Sequence, residues 1–126
     1  MHENELSKII LDTAFSIHKE LGPGLLESVY EEVMFYELRN EHGLFVQRQE
    51  LIPVVWRNVR MEYGFRADLI VENEVLVELK SVETLTAVHP KQVLTYLKLT
   101  GLKLGMLLNF NEAILKNGIR RIVNNL

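Results

Sequence analysis

The sequence contains no cysteine. This excludes disulfide bonds, thiolate zinc sites and a cysteine nucleophile. It also lacks an apolar run long enough to span a bilayer. Residues 2–5 are polar, whereas a signal peptide requires a basic start followed by an apolar block. We therefore expect a cytoplasmic protein with no membrane segment.

The chain has no internal repeat, no low-complexity stretch and no linker rich in glycine and serine. Its 126 residues suffice for one domain, and 48% of them are hydrophobic, which allows a packed core. Charged residues make up 25%, an ordinary share for a globular protein. We predict a single domain over residues 1–126.

Charge is distributed unevenly along the chain, although the net charge is only −3. Residues 1–40 carry eight acidic and three basic side chains, and residues 41–85 carry eight and five. Residues 86–126 carry one acidic and six basic side chains. This basic third either faces a polyanion or pairs with the acidic N-terminal third, and the composition does not separate these two interpretations.

Hydrophobic periodicity predicts helices and strands in a definite order. Apolar residues recur at helical spacing over residues 5–20, 26–42 and 89–101. Strand-like segments rich in β-branched and aromatic residues are 45–56, 65–71, 75–80, 104–110 and 119–123. Pro53 indicates an edge strand or a bulge. The order predicts an α/β (α+β) fold in which helices flank a central mixed β-sheet.

One strand carries two charged residues on the same face. Glu78 and Lys80 are two residues apart, so both side chains point to one side of the strand, opposite Val77 and Leu79. A half-exposed amphipathic strand would give the same local pattern. Whether Glu78 and Lys80 form a chemical site or only the exposed face of an amphipathic strand depends on the preceding strand, which contains Asp68.

The length of one hairpin loop decides whether Asp68 meets Glu78. A three-residue loop, 72–74, pairs Val71 with Val75 and puts Asp68 opposite Glu78. A two-residue loop would instead turn the two carboxylates apart. Carboxylates this close repel each other unless a cation or a shared proton compensates. We predict the three-residue loop.

Such a carboxylate pair suits Mg²⁺ or Mn²⁺, because hard cations prefer oxygen ligands. The ion would polarise a phosphoryl oxygen and activate a bound water. The neighbouring carboxylates favour a charged Lys80. We therefore expect this lysine to position water and to stabilise negative charge rather than to act as a base.

Three motifs in this order resemble those of a known family. Asp68 followed by Glu78-x-Lys80 resembles the PD-(D/E)XK phosphodiesterase motif, with Ala67 where the motif has a variable proline. Gln92-x-x-x-Tyr96 resembles the Gln-x-x-x-Tyr motif of its helicase-associated branch. The segment 24–30, GLLESVY, matches the signature of the GxxExxY protein family. The resemblance covers nearly the whole chain and implies a restriction-endonuclease-like core.

The resemblance also implies roles for residues outside the strand pair. It implies that Glu27 is a further catalytic and metal-binding carboxylate, supplied by a helix. Gln92 and Tyr96, which share a helix face, would reach the scissile phosphate or hold Lys80. Tyr30 either orients Glu27 or is a core aromatic, and the sequence leaves both interpretations open.

Two functions follow from these residues. The first is a nuclease, dependent on Mg²⁺ or Mn²⁺, that cleaves DNA, with RNA as the alternative substrate. The second is a non-catalytic module that keeps the fold and binds nucleic acid or protein; the negative net charge and the lack of a DNA-reading element motivate it. Because so small a domain contacts only a short duplex, a homodimer or a partner subunit is a further expectation.

Overall fold

Three α-helices and five strands form the regular structure of residues 2–126, the part of the chain that the computed structural model describes. Their order is α1 (Glu3–Leu21), α2 (Glu27–Tyr36), β1 (Val46–Trp56), β2 (Val59–Val71), β3 (Val75–Lys80), α3 (Val88–Thr100), β4 (Leu104–Asn109) and β5 (Ile119–Val123). A π-helical turn, Glu37–Glu41, continues α2, and a 3₁₀ turn, Leu115–Gly118, precedes β5. This is the predicted order of elements.

The five strands form one mixed sheet in the spatial order β1-β2-β3-β4-β5. Neighbouring strands are antiparallel except β3 and β4, which are parallel. The chain crosses from β3 to β4 through α3, as a parallel connection requires. The predicted α+β class, a mixed sheet flanked by helices, is confirmed.

Two apolar clusters cover the two faces of this sheet. Helices α1 and α2 pack on one face, where Leu6, Ile10 and Met34 are buried with strand residues such as Val77. Helix α3 packs on the other face through Val93 and Leu97. Strands β3 and β4 are therefore buried on both sides, and both consist mainly of apolar residues. No helix within residues 2–126 has the length and apolar character needed to cross a bilayer.

The hairpin between β2 and β3 has the predicted three-residue loop. Val71 pairs with Val75, and the register continues to Leu69 opposite Val77. Glu72 and Asn73 adopt positive φ angles of 53° and 54°, which tighten the turn. Continued by one residue beyond Leu69, this register puts Asp68 opposite Glu78.

Strand β1 is the edge strand that Pro53 predicted. It pairs only with β2, and the register shifts between Pro53 and Val55. Gly64 lies opposite Pro53, and a Cβ atom there would come within 2.2 Å of the Ile52 carbonyl oxygen. Only glycine allows the two backbones to approach so closely at this point.

Replacing Gly64 with alanine should therefore destabilise the protein. The added methyl group meets a backbone oxygen, which cannot rotate away, so we expect a loss of about 1–3 kcal/mol in the free energy of unfolding. Urea unfolding measures it. Glu62→Ala, two residues along the same exposed strand, is the control and should change stability by less than about 0.5 kcal/mol. Equal effects of the two substitutions would contradict the close approach.

Candidate active site

Two carboxylate side chains hold β2 and β3 together where their backbone pairing stops. The Asp68 N–H donates a hydrogen bond to Glu78 Oε1 at 3.2 Å. The Leu79 N–H donates to Asp68 Oδ2 at 2.8 Å. Each side chain thus accepts from the opposite strand, and the two carboxylates are brought together between the strands.

Burial makes this pair of negative charges unfavourable. Glu78 is 5% exposed, and burial, with the negative charge of Asp68 as the second cause, raises its pKa to about 8. Burial likewise raises the pKa of Asp68, and the charge of Glu31 adds to this, although the hydrogen bond from Leu79 acts in the opposite direction. The pair therefore favours a shared proton or a bound cation.

Lys80 lies at the end of β3, on the same side of the strand as Glu78. Its positive charge lowers the pKa of Glu78, but within residues 2–126 it forms no ion pair. The backbone here is held by the residue that follows β4, because the Phe110 N–H donates to the Lys80 carbonyl at 2.9 Å. The buried Asn109 side chain accepts from the Val82 N–H and donates to the Val82 carbonyl. These hydrogen bonds fix the end of β3 and the residues after it next to the end of β4.

Helix α3 brings Tyr96 towards the carboxylate pair. Burial raises the pKa of Tyr96, the negative charges of Glu78 and Asp68 raise it further, and a hydrogen bond with Gln92 acts in the opposite direction. The Tyr96 ring stacks on Phe65 with 3.7 Å between centroids. The structure thus brings Gln92 and Tyr96 to the same side of the sheet as the pair.

A second carboxylate network lies behind Asp68, and the sequence analysis missed it. The Gln49 Nε2 donates to Glu31 Oε1 at 2.6 Å and to Asp68 Oδ1 at 3.2 Å. Arg48 Nε donates to Glu31 Oε2 at 2.8 Å. Gln49 has a φ of 54° in mid-strand, an uncommon conformation for a residue with a side chain. The sequence held no signal that separates Glu31 from Glu27, since the two lie one turn apart on the same side of α2.

Glu27 forms no hydrogen bond or ion pair with Asp68 or Glu78 within residues 2–126. It is the first residue of α2 and is exposed. Within residues 2–126, no three or more histidine, cysteine, aspartate or glutamate side chains form a group with metal-binding geometry. The structure thus gathers Asp68 and Glu78, with Glu31 linked to them through Gln49.

Tyr30 is a core aromatic, one of the two interpretations that the sequence left open. It is fully buried and stacks on Phe110 at 4.5 Å. Its hydroxyl accepts from the Leu25 N–H and donates to the Gly22 carbonyl. Ser81 Oγ then donates to the Leu25 carbonyl at 2.6 Å. The start of α2 is therefore held beside the residue that follows Lys80.

The residues present fit a small divalent cation. Mg²⁺ is commonly held by one or two carboxylates and keeps several waters. Asp68 and Glu78 supply such a pair. Their pKa values are raised because their negative charges are unfavourable here, and a bound cation would compensate these charges. The donor set contains only carboxylate oxygens, which suits Mg²⁺ or Mn²⁺ better than a soft metal.

Comparison with known proteins identifies one family. A family model described as the PD-(D/E)XK nuclease superfamily matches residues 4–122. No curated protein matches the chain. No solved structure matches it either.

Glu78→Gln should stabilise the metal-free protein at alkaline pH. The pKa of Glu78 is raised from 4.5 to about 8, so the favourable protonated form is lost as pH rises through this window, and stability falls with it. Glutamine imitates the protonated form at every pH. We expect a gain on the order of 3 kcal/mol at pH 9 and little change at pH 4, measured by urea unfolding in EDTA.

The control for this experiment is Glu83→Gln, at an exposed position after β3. It should keep the pH dependence of the wild type. A Glu78→Gln variant that loses stability at pH 9, or that keeps the wild-type pH dependence, would contradict the assignment of burial and repulsion to Glu78.

Proposed function

The chain belongs to the PD-(D/E)XK nuclease superfamily, and from this premise we propose that it is a Mg²⁺-dependent nuclease that hydrolyses phosphodiester bonds in DNA. Mn²⁺ is the alternative ion and RNA the alternative substrate. The observation that carries the proposal is the pair of half-buried Asp68 and buried Glu78, held by hydrogen bonds across two strands beside Lys80.

In this proposal Asp68 and Glu78 hold the metal ion. When bound there, Mg²⁺ would supply Lewis-acid chemistry, polarising a phosphoryl oxygen and lowering the pKa of a water molecule. The Leu79 N–H and the Gln49 amide orient the Asp68 carboxylate. The Lys80 ammonium group, on the same side of β3, positions the attacking water and stabilises the negative charge that develops on the phosphate.

The helices contribute the remaining proposed site residues. Gln92 and Tyr96 present an amide and a hydroxyl that can donate hydrogen bonds to the scissile phosphate. Glu27, at the start of α2, is proposed as the helix-supplied carboxylate of the site and as a further metal ligand. The contact between Ser81 and Leu25 supports this, because it joins the loop before α2 to the end of β3.

Several finer assignments belong to the same proposal. We assign the chain to the GxxExxY branch, since the Tyr30 contacts give the motif a physical role in joining α2 to the sheet. Residues 1–126 act as one nuclease-like domain in the cytoplasm. A homodimer or a partner subunit would let this small domain act on both strands of a duplex.

Asp68→Asn and Lys80→Ala should each lower metal-dependent cleavage by about 10³-fold or more, because each removes a group that acts at the reacting phosphate. The assay is cleavage of supercoiled plasmid and of a labelled duplex with Mg²⁺ or Mn²⁺. Asp12→Asn is the matched control, since Asp12 is exposed on α1 and is the only other aspartate.

Absence of cleavage by the wild type would contradict the proposal, as would cleavage that survives both substitutions. Binding of nucleic acid or protein without any cleavage, indifferent to metal, would favour the alternative of a non-catalytic module.

Glu27→Gln should abolish most cleavage and leave the melting temperature unchanged, because the side chain is exposed. Glu31→Gln should lower both, since it disrupts the buried contacts with Arg48 and Gln49. Glu32→Gln, exposed on the same helix, is the control for both. Full activity of Glu27→Gln would exclude Glu27 from the site and leave Glu31 as the relevant helix carboxylate.

A further inference from the structure

The β1–β2 hairpin extends beyond the rest of the sheet as an arm, which we define as residues 55–64. Every residue of this segment is exposed. Its strands pair only with each other, with Val55 opposite Arg60 and Trp56 opposite Val59. A two-stranded hairpin without further packing is only marginally stable in water, so an arm of this length calls for an explanation in function.

The arm leaves the sheet at the edge where the carboxylates lie. Strand β2 runs from the arm directly to Asp68, and β2 is antiparallel to β3. The arm therefore projects past the carboxyl end of β3, which carries Lys80. From Arg60 to Asp68 the strand covers about 26 Å at roughly 3.3 Å per residue. This corresponds to about eight base pairs of B-form duplex at 3.4 Å each.

The chemistry of the arm is cationic and aromatic. Arg57 and Arg60 are its basic residues, Glu62 is its single acidic one, and no ion pair within residues 2–126 involves either arginine. Trp56 is 61% exposed and Tyr63 is 81% exposed. The Arg57 guanidinium lies over the Trp56 ring at 5.1 Å.

The turn places a charge at the outermost point of the arm. Arg57 and Asn58 have φ angles of 49° and 67°, which form the two-residue turn of a tight hairpin. Asparagine adopts this conformation readily, but arginine does so at some cost in energy. Glycine would be the more stable choice, so the position of the positive charge is not explained by folding.

We infer that the arm binds duplex DNA beside the cleavage site, with Arg57 and Arg60 on phosphates and Trp56 at the groove. This inference rests on the proposed function for its choice of substrate. The major groove is wide enough for a two-stranded β-ribbon. Arm-to-arm pairing with a second copy of the chain fits less well, because burying two arginines would require acidic partners and the partner's arm offers only Glu62.

The single tryptophan makes this inference directly measurable. Wild-type protein is titrated in EDTA with a 20-base-pair duplex, so that the DNA stays intact. Binding is followed by the anisotropy of a labelled duplex and by Trp56 fluorescence. We expect DNA to quench Trp56 and to reduce its accessibility to acrylamide at least twofold.

Arg57→Gln/Arg60→Gln should weaken binding about tenfold and reduce the slope of log K against log salt by about 1.8, since each phosphate contact contributes about 0.9. Arg57→Lys/Arg60→Lys should keep the slope. Lys8→Gln/Lys19→Gln, which removes two charges from the exposed side of α1, is the matched control and should keep both affinity and slope.

Three results would overturn the inference. The first is duplex binding that leaves Trp56 accessibility and the salt slope of the arginine variant unchanged. The second is the absence of duplex binding at low salt. The third is a concentration-dependent dimer without DNA that Trp56→Ser/Tyr63→Ser dissociates, which would make the arm an interface between copies.

The experiments distinguish a failure of the arm assignment from a failure of the proposed nuclease function. If the wild type binds through the arm but never cleaves, the proposed function fails and the arm assignment stands. If the arginine variant cleaves with unchanged KM and unchanged kcat, the arm assignment fails and the nuclease stands. The expected result is a raised KM at constant kcat.

Discussion

The backbone pairing between β2 and β3 ends before Asp68 and Glu78 are reached. From there on, hydrogen bonds to the two carboxylates join the strands. Glu78 accepts the Asp68 N–H and Asp68 accepts the Leu79 N–H, so the bonds that join the strands also hold two negative charges together. Neither carboxylate can leave without exposing a backbone donor that is then unsatisfied. The repulsion is therefore built into the backbone pairing, and a proton or a cation is the means of relieving it.

The surrounding contacts hold this point from three sides, and each comes from a different part of the chain. Gln49 on β1 reaches Asp68 and Glu31 at once. Tyr30 on α2 holds the loop that Ser81 contacts. Asn109 at the end of β4 satisfies the backbone of Val82. A buried polar network of this kind rigidifies a site when all of its members are satisfied, and within residues 2–126 no buried side-chain polar atom lacks a partner.

The order of the elements and the Val71–Val75 register could be predicted from the sequence, because alternation and loop length determine which residues share a face. The hydrogen-bond network that links Asp68 through Gln49 to Glu31 could not be predicted. Helical spacing puts Glu27 and Glu31 on one side of α2 but does not say which is buried. The conformation of Gln49 depends on distant partners and leaves no local pattern. The arm was missed because the predicted second strand began at residue 65, whereas β2 begins at Val59.

A chain of net charge −3 can bind a polyanion if its positive side chains lie far enough from its carboxylates. Exposed charges are screened beyond about 10 Å at ordinary ionic strength, so what matters is the charge near each phosphate rather than the sum. Arg60 lies roughly 25 Å along β2 from Asp68, and Arg57 lies beyond it in the turn, so both arginines are well outside that range. They can attract phosphates without neutralising the carboxylates, and the carboxylates keep their need for a cation. In the proposed reaction, separate parts of the same hairpin would therefore hold the polyanion and the metal ion.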